Sequence, residues 1–462
     1  MEYYTVLGRN NTMDKNREVT KPEPATTRNE SRETEVGSVF VSNYPPYSFW
    51  SEENLPTVEN VLKSPPNMDT DLGLYLHIPF CRKRCKFCYF RVYVDKNSSE
   101  IETYLDLLVK EVELYSQVEA VKRRPLKFVY FGGGTPSYIS SRHLEQLVAR
   151  LKSVMSWESA QEVAFECEPG TLTQSKLQTI REIGVTRLSL GVENLNDTVL
   201  VENGRAHSTK EIYRVIPWIH DLEFDQLNID LIAGMVGETW ESWKDTVKRT
   251  IDLDPDSITV YQMELPFNTV YSKEILGNDN SGMQVANWKT KREWHNFAFE
   301  QFESADYRIS SAYTMVKKTK PSHFVYRDAV WHSSDLLGTG VASFSHVNGV
   351  HFQNLTDWKS YIDSLDTNRL PLGRALATSK SEKLVREMIL QLKLGRIKTT
   401  YFLEKFGVNI LEEFASGYNR LRDEGMLTLS EDQVILTRKG LLQVDQLLPE
   451  FYDMKYRNSR YT

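Results

Sequence analysis

The sequence predicts an α/β fold: a parallel sheet with helices outside it, followed by a small C-terminal helical module. Three observations carry this. From residue 72 to about 265, apolar runs of strand length alternate with amphipathic stretches of helix length. The connections between them are short, as local right-handed crossovers between parallel strands require. The 462 residues suit one large domain of barrel size plus a small one. Pattern alone leaves open whether the sheet stays open or curls into a partial barrel.

Residues 1–37 are rich in Asn, Thr, Glu, Arg and Lys without an apolar period, and read as a disordered leader. Residues 38–71 read as an N-terminal arm. Its aromatic residues and prolines, from Val39 to Trp50, suggest an extended strap on a body, compatible with a substrate lid. Strands follow at Leu72–Ile78, Phe128–Phe131, Glu162–Glu166, Thr186–Gly191, Gln226–Ile232 and Ser257–Gln262. The intervening helices are expected at 100–118, 141–155, 172–183, 208–220 and 240–251. Residues 266–345 read as irregular, with Gly-Asn-Asp-Asn at 277–280, and 266–375 as a region that completes the barrel and meets substrate. Within 376–462, helices at Lys383–Leu392, Thr399–Phe406 and Ile410–Glu424 precede a hairpin of Met426–Ser430 and Gln433–Thr437, like a winged helix. No basic recognition face is evident there, so packing is the expected role.

Hydrophobic residues make up 40% of the chain and aromatic residues 11%, which excludes wholesale disorder. The 56 Lys and Arg against 63 Asp and Glu leave a net charge of −7, which argues against nucleic-acid binding by bulk charge. Two basic runs, Arg82-Lys83-Arg84 and Lys122-Arg123-Arg124, stand out against that balance. No apolar run approaches the ~20 residues of a membrane span, and the polar N-terminus lacks a signal pattern, so a cytoplasmic protein is expected.

The four cysteines are Cys81, Cys85, Cys88 and Cys167. The first three form a C-x₃-C-x₂-C loop directly after the first strand, which reads as metal ligation in a reducing compartment. Three thiolates can hold three irons of a 4Fe–4S cluster and leave the fourth open to a substrate or cofactor. Arg82, Lys83 and Arg84 are expected to favour ionised thiols. The alternative is a zinc site with His77 as fourth ligand.

The cysteine motif, with Phe87 just before its last Cys, resembles that of the radical S-adenosylmethionine (SAM) superfamily. Further words narrow the resemblance: HIPFC at 77–81, GGGTPS at 132–137, RLSLGVEN at 187–194, GRAHS at 204–208, NIDLIAGMVGETWESW at 228–243 and DLLGTGVASFS at 335–345. Together they are similar to the oxygen-independent coproporphyrinogen III oxidase family, over about residues 70–450. The resemblance implies a partial (β/α)₆ TIM-like barrel and a cluster held by Cys81, Cys85 and Cys88. It places Tyr75, Gly133, Glu166 and Phe344 at the cluster-bound SAM, with Glu168 as a competitor for Glu166. Phe87, Gly134, Thr135, Arg205 and Asp230 match a second SAM site; a structural Arg205–Asp230 ion pair is the plain alternative. Glu193 stands where the family typically has Gln, and Phe90 where the bacterial decarboxylase has a fourth Cys.

The resemblance also implies a tetrapyrrole substrate, a reductant such as flavodoxin or ferredoxin, and a monomer. Three readings follow: oxidative decarboxylation of coproporphyrinogen III, a two-SAM radical methylase or cyclopropane-forming enzyme, and a heme chaperone. Tyr44, Tyr47, Phe49 and Trp50, with Arg82 and Arg84, are candidates to cover a flat ring and meet its carboxylates. For the chaperone reading, the word to inspect is His323…Tyr326…Trp331-His332.

Overall fold

The computed structural model describes residues 33–277, 285–457 and 459. Most of the leader, and the Asn-Asp-Asn at 278–280, lie outside the described residues. Six parallel strands form the centre of one sheet: β1 (Leu72–Ile78), β2 (Leu126–Gly133), β3 (Glu162–Cys167), β4 (Arg187–Glu193), β5 (Gln226–Ala233) and β6 (Ser257–Gln262). The helices between them are Ser98–Ser116, Ser141–Val154, Gln174–Glu182, the pair Asp197–Glu202 and Thr209–Asp221, and Trp240–Asp252. Side-chain caps fix several starts: Asn97, Ser140 and Thr173 each accept a backbone N–H of the first turn.

Alternation along the strands separates two faces. On β1, Leu72, Leu74, Leu76 and Ile78 are buried in the main core, while Tyr75 and His77 line a cavity on the other face. On β5, Leu227, Ile229 and Leu231 do the same, and Asn228, Asp230 and Ile232 line the cavity. The helix-facing side is thus apolar and the inner side polar, which positions functional groups without opening the core.

The region read as irregular is largely ordered. It holds helices Val270–Gly277, Trp288–Ser304 and Val325–Trp331, and strands β7 (Tyr307–Ile309), β8 (Thr314–Lys317), β9 (Asp335–Thr339) and β10 (Phe344–Val347). β11 (Val350–Asn354) and β12 (Leu372–Ala377) follow. These strands have three to six residues, too few to show a period of their own. They extend the sheet to twelve strands in the order β12-β11-β10-β9-β1-β2-β3-β4-β5-β6-β8-β7. β9 runs parallel to β1, whereas β10–β12 and β7–β8 are antiparallel additions. The sheet stays open: its end strands, β12 and β7, do not pair among the described residues. It nevertheless wraps one cavity, since inner-face residues from β1–β6 and β10–β12 line the same space.

The arm straps this assembly. Gly37 N–H bonds Leu265 O (2.7 Å), Val41 N–H bonds Asp445 Oδ1 (2.9 Å), and Ser51 bridges to Ala375. At the C-terminal end, helices Lys380–Leu392 and Thr399–Phe406 flank β13 (Arg396–Lys398), which pairs with the hairpin of β14 (Leu427–Leu429) and β15 (Gln433–Leu436). The helix expected over Ile410–Glu424 is broken at Phe414 into two pieces. Among the described residues, no helix is long and apolar enough to cross a membrane.

Candidate active site

The strand ends and the loop after β1 enclose a cavity of about 1180 Å³. Cys81, Cys85 and Cys88 line it, each half-buried. Backbone bonds shape their loop: Cys81 N–H to Tyr93 O (3.1 Å), Lys86 N–H to Asn203 O (3.1 Å) and Cys88 N–H to Cys85 O (3.2 Å). Two side chains address the sulfurs directly. Thr135 donates its hydroxyl to Cys81 Sγ (3.4 Å), and Arg205 Nη1 donates to Cys85 Sγ (3.3 Å).

Burial pushes the Cys81 thiol up to about 11 and the Cys88 thiol up to about 12. Arg84 lowers the Cys88 thiol, in the direction the sequence suggests, but burial outweighs it. Arg82 pairs with Glu168, Lys83 is exposed, and Arg84 donates to the carbonyls of Cys88 and Asn268. The guanidinium that meets a thiol belongs to Arg205. These thiols therefore ionise when a metal replaces their protons. His77, the alternative fourth ligand, is buried, and its Nδ1 lies 3.2 Å from Tyr75 Oη. Among the described residues, no three His, Cys, Asp or Glu side chains group around a single ion. Three separate thiols around an open cavity fit a multi-iron cluster better than one Zn²⁺, which needs its ligands within ~2.3 Å of one point.

A glycine cradle adjoins the thiols. Gly133 has φ +111°, and a Cβ there would lie 2.4 Å from His77 Nδ1. A Cβ on Gly134 would lie 2.9 Å from Ile78 O. Only glycine lets the backbone pass here, and the bare backbone faces the cavity. Gly133 N–H donates to Glu166 Oε2 (3.1 Å), and Tyr130 Oη donates to Glu166 Oε1 (2.7 Å). Burial pushes Glu166 up to about 7, with Asp230 adding to the rise. Glu168 does not compete for this place. It is held by Arg82 (3.0 Å) and His207 Nδ1 (3.0 Å).

Arg205 pairs with Glu193 (3.7 Å), not with Asp230, and donates to Gly191 O (2.6 Å). Asp230 instead accepts from Ser189 Oγ (2.7 Å) and Asn228 Nδ2 (3.0 Å). Glu193 reaches Arg205 through a bulge between Gly191 and Glu193, where its own φ is +64°. A non-glycine residue held in the left-handed region beside a cavity is a feature of functional sites. Phe87 and Phe344 also line the cavity.

The arm contributes less than the sequence suggests. Tyr47 lines the cavity, its ring 4.3 Å from Phe344. Tyr44 packs instead on Tyr452 and Tyr456, Trp50 stacks on His351, and Phe49 packs edge-on against Tyr456. Cys167 is buried, at the edge of the cavity wall. Of the His323…His332 word, Tyr326 lines the cavity against Tyr130 (4.4 Å), whereas His332 is exposed and bonds Asp328 O. Sequence reasoning missed Tyr130, Phe324, His346, Arg374 and Arg386 on the cavity wall. Tyr130 was within reach: it sits two residues before Gly132, on the inner face of β2, in register with Tyr75.

A family model described as the Radical SAM superfamily matches residues 75–250. The matched segment holds the cysteine loop and the glycine cradle, and the chain is an enzyme of the oxidoreductase kind that uses a 4Fe–4S cluster and SAM. The similar curated proteins include oxygen-independent coproporphyrinogen III oxidases and a heme chaperone. It is 26% identical over 382 residues to heme chaperone HemW of Bacillus subtilis (strain 168), covering 82% of this chain and 98% of that one. It is 25% identical over 396 residues to the oxygen-independent coproporphyrinogen III oxidase of Escherichia coli (strain K12), covering 81% and 83%. The solved coproporphyrinogen III oxidase of Escherichia coli, a radical SAM enzyme, superposes with a TM-score of 0.77 at 22% identity over 91% of this chain and 99% of that one.

Proposed function

We propose that this enzyme performs the oxygen-independent oxidative decarboxylation of coproporphyrinogen III, in the cytoplasm. The observation that carries this is the cavity itself: about 1180 Å³, with the thiols in its wall and aromatic rings around them. That is larger than the ~300–1,000 Å³ of sites for drug-sized ligands and suits a macrocycle. Overall, each reacting propionate loses its carboxyl as carbon dioxide and one β-hydrogen, leaving a vinyl group, and the remaining electron passes to an acceptor.

Cys81, Cys85 and Cys88 would hold the cluster. The bound cluster and SAM supply a carbon radical by reductive cleavage of the sulfonium. The protein's own part is placement. Backbone at Gly133 and Gly134 receives the methionine end of SAM with no side chain between. Glu166, fixed by Tyr130, accepts from ribose hydroxyls. Tyr75, on the inner face of β1, and Phe344 complete that first SAM site. Arg205, Glu193, Asp230, Phe87, Thr135 and the other side of Gly134 frame a second SAM, where Glu193 sets a carboxylate toward a cationic sulfonium. The test is anaerobic turnover of coproporphyrinogen III with a chemical or flavodoxin reductant. Vinyl product supports the reading; SAM cleavage with intact propionates contradicts it.

A second reading, a two-SAM radical methylase or cyclopropane-forming enzyme, is favoured by two departures from the decarboxylase pattern. Phe90 takes the place of the fourth Cys and stacks on Tyr89 (4.5 Å), and Glu193 takes the place of Gln. Methyl-labelled SAM that leaves label in product supports it. For the heme-chaperone reading, His332 of the inspected word is exposed and bonds Asp328 O, whereas Tyr326 lines the cavity.

A further inference from the structure

The inner face of β10–β12 carries charge that the reading above does not use. Phe344, Gln353 and Arg374 lie in register across these strands, beside His346 paired with His351. Arg374 Nε donates to Gln353 Oε1 (2.6 Å) and its Nη1 to Tyr47 O (3.1 Å). Arg386, on the helix Lys380–Leu392, donates from Nε to Asn43 Oδ1 (2.7 Å) and from Nη1 to Ser333 Oγ (3.0 Å). All four acceptors are neutral oxygens. Among the described residues, neither guanidinium pairs with a carboxylate, and neither Nη2 makes a protein hydrogen bond. The acids nearest Arg386 are already engaged: Glu387 with Lys405 (2.8 Å) and Asp335 with Arg124 (2.7 Å). Yet Arg386 is buried, and Arg374, Arg386 and His346 all line the cavity.

A buried cation without a counter-charge is costly, and planar guanidinium forks match carboxylates. We propose that Arg374 and Arg386, flanked by His346, form an anion subsite that holds a carboxylate of the substrate. The identity of that substrate as a tetrapyrrole rests on the function proposed above. Hydrogen bonds hold the subsite rigid. His346 Nδ1 meets His351 Nδ1 (2.9 Å), His351 Nδ1 meets Asn43 Nδ2 (3.3 Å), and Asn43 receives Arg386. Burial keeps both imidazoles neutral, so His346 adds a polar contact and no charge. The carboxylates Glu166, Glu193 and Asp230 sit apart from this face, on β3–β5. The cavity therefore offers acids to a sulfonium on one wall and guanidinium groups to an anionic substrate on another.

The plain alternative is that both arginines only anchor the arm through Asn43 and Tyr47. Anaerobic binding titrations with coproporphyrin III and with its tetramethyl ester separate the two. The acid should bind wild-type protein at least about tenfold tighter than the ester, as charge-assisted pairs predict. Arg374→Gln/Arg386→Gln should abolish that ratio, and Arg374→Lys/Arg386→Lys, which keeps the charge, should retain part of it. Melting temperature and iron content report on folding of each variant. Equal binding of acid and ester by wild type overturns the subsite, as does unchanged acid affinity in a folded Gln variant. Equal losses in the Lys and Gln variants would establish arm anchoring and also overturn it. In these cases the tetrapyrrole reading stands; if wild type binds neither probe, both fall.

Discussion

Tyr130 donates its hydroxyl to Glu166 across the β2–β3 pair at 2.7 Å, and so sets the position of the carboxylate next to the glycine cradle. Removing that donor leaves Glu166 with the Gly133 N–H alone at this face. Tyr130→Phe should weaken SAM binding several-fold, the effect of about 1 kcal/mol from a lost hydrogen bond. Equilibrium binding of SAM to the reconstituted variant checks this, with iron content unchanged from wild type.

Gly133→Ala should be far more severe. The added methyl would sit 2.4 Å from the His77 ring, at a φ of +111° that alanine avoids. Either the cradle shifts or the chain loses stability by a few kcal/mol. A SAM-binding titration together with a thermal melt reads both outcomes, and an alanine variant with wild-type values in both would contradict the account.

Glu168 links stability to pH. Burial alone would raise its carboxyl, but hydrogen bonds from His207 and Arg82 outweigh that and hold it down at about 2, from 4.5. A carboxyl depressed in the folded state stabilises it above the unfolded value, and the benefit is lost as pH falls from 4.5 through 2. Glu168→Gln should therefore cost about 3 kcal/mol near pH 7, where its partner His207 is neutral. Chemical denaturation of the apo-protein should show that gap closing as pH falls from 4.5 through 2.

The buried pair Arg124–Asp335 (2.7 Å) ties the loop before β2 to β9, the strand that joins the central sheet to its antiparallel extension. Asp335→Ala strands the Arg124 charge in the interior and should cost about 3–5 kcal/mol. The melting temperature measures it. This pairing also accounts for one member of the basic run at 122–124, which needs no nucleic-acid partner.

The six central strands and their helices were legible because each is long enough to show its period, and because both faces are constrained. The cysteine loop was legible because its spacing is local. The extension from β7 to β12 was not, since its short strands acquire meaning only when they meet β1 or β6. Glu193 shows a second limit. Its residue type was visible, but its partner depends on a bulge that no local pattern announces, so Asp230 looked an equal match for Arg205. Arg374 and Arg386 were hidden for the same reason, being distant in sequence from everything they touch.

The central claim is that Cys81, Cys85 and Cys88 hold the reaction's iron. Anaerobic reconstitution, followed by iron and sulfide analysis of wild type and of single Cys→Ala variants at all four cysteines, tests it most directly. The account predicts about four irons and four sulfides per chain in wild type and in Cys167→Ala, and loss of the cluster in the other three. A cluster that survives Cys81→Ala, Cys85→Ala and Cys88→Ala, or that disappears with Cys167, would contradict it.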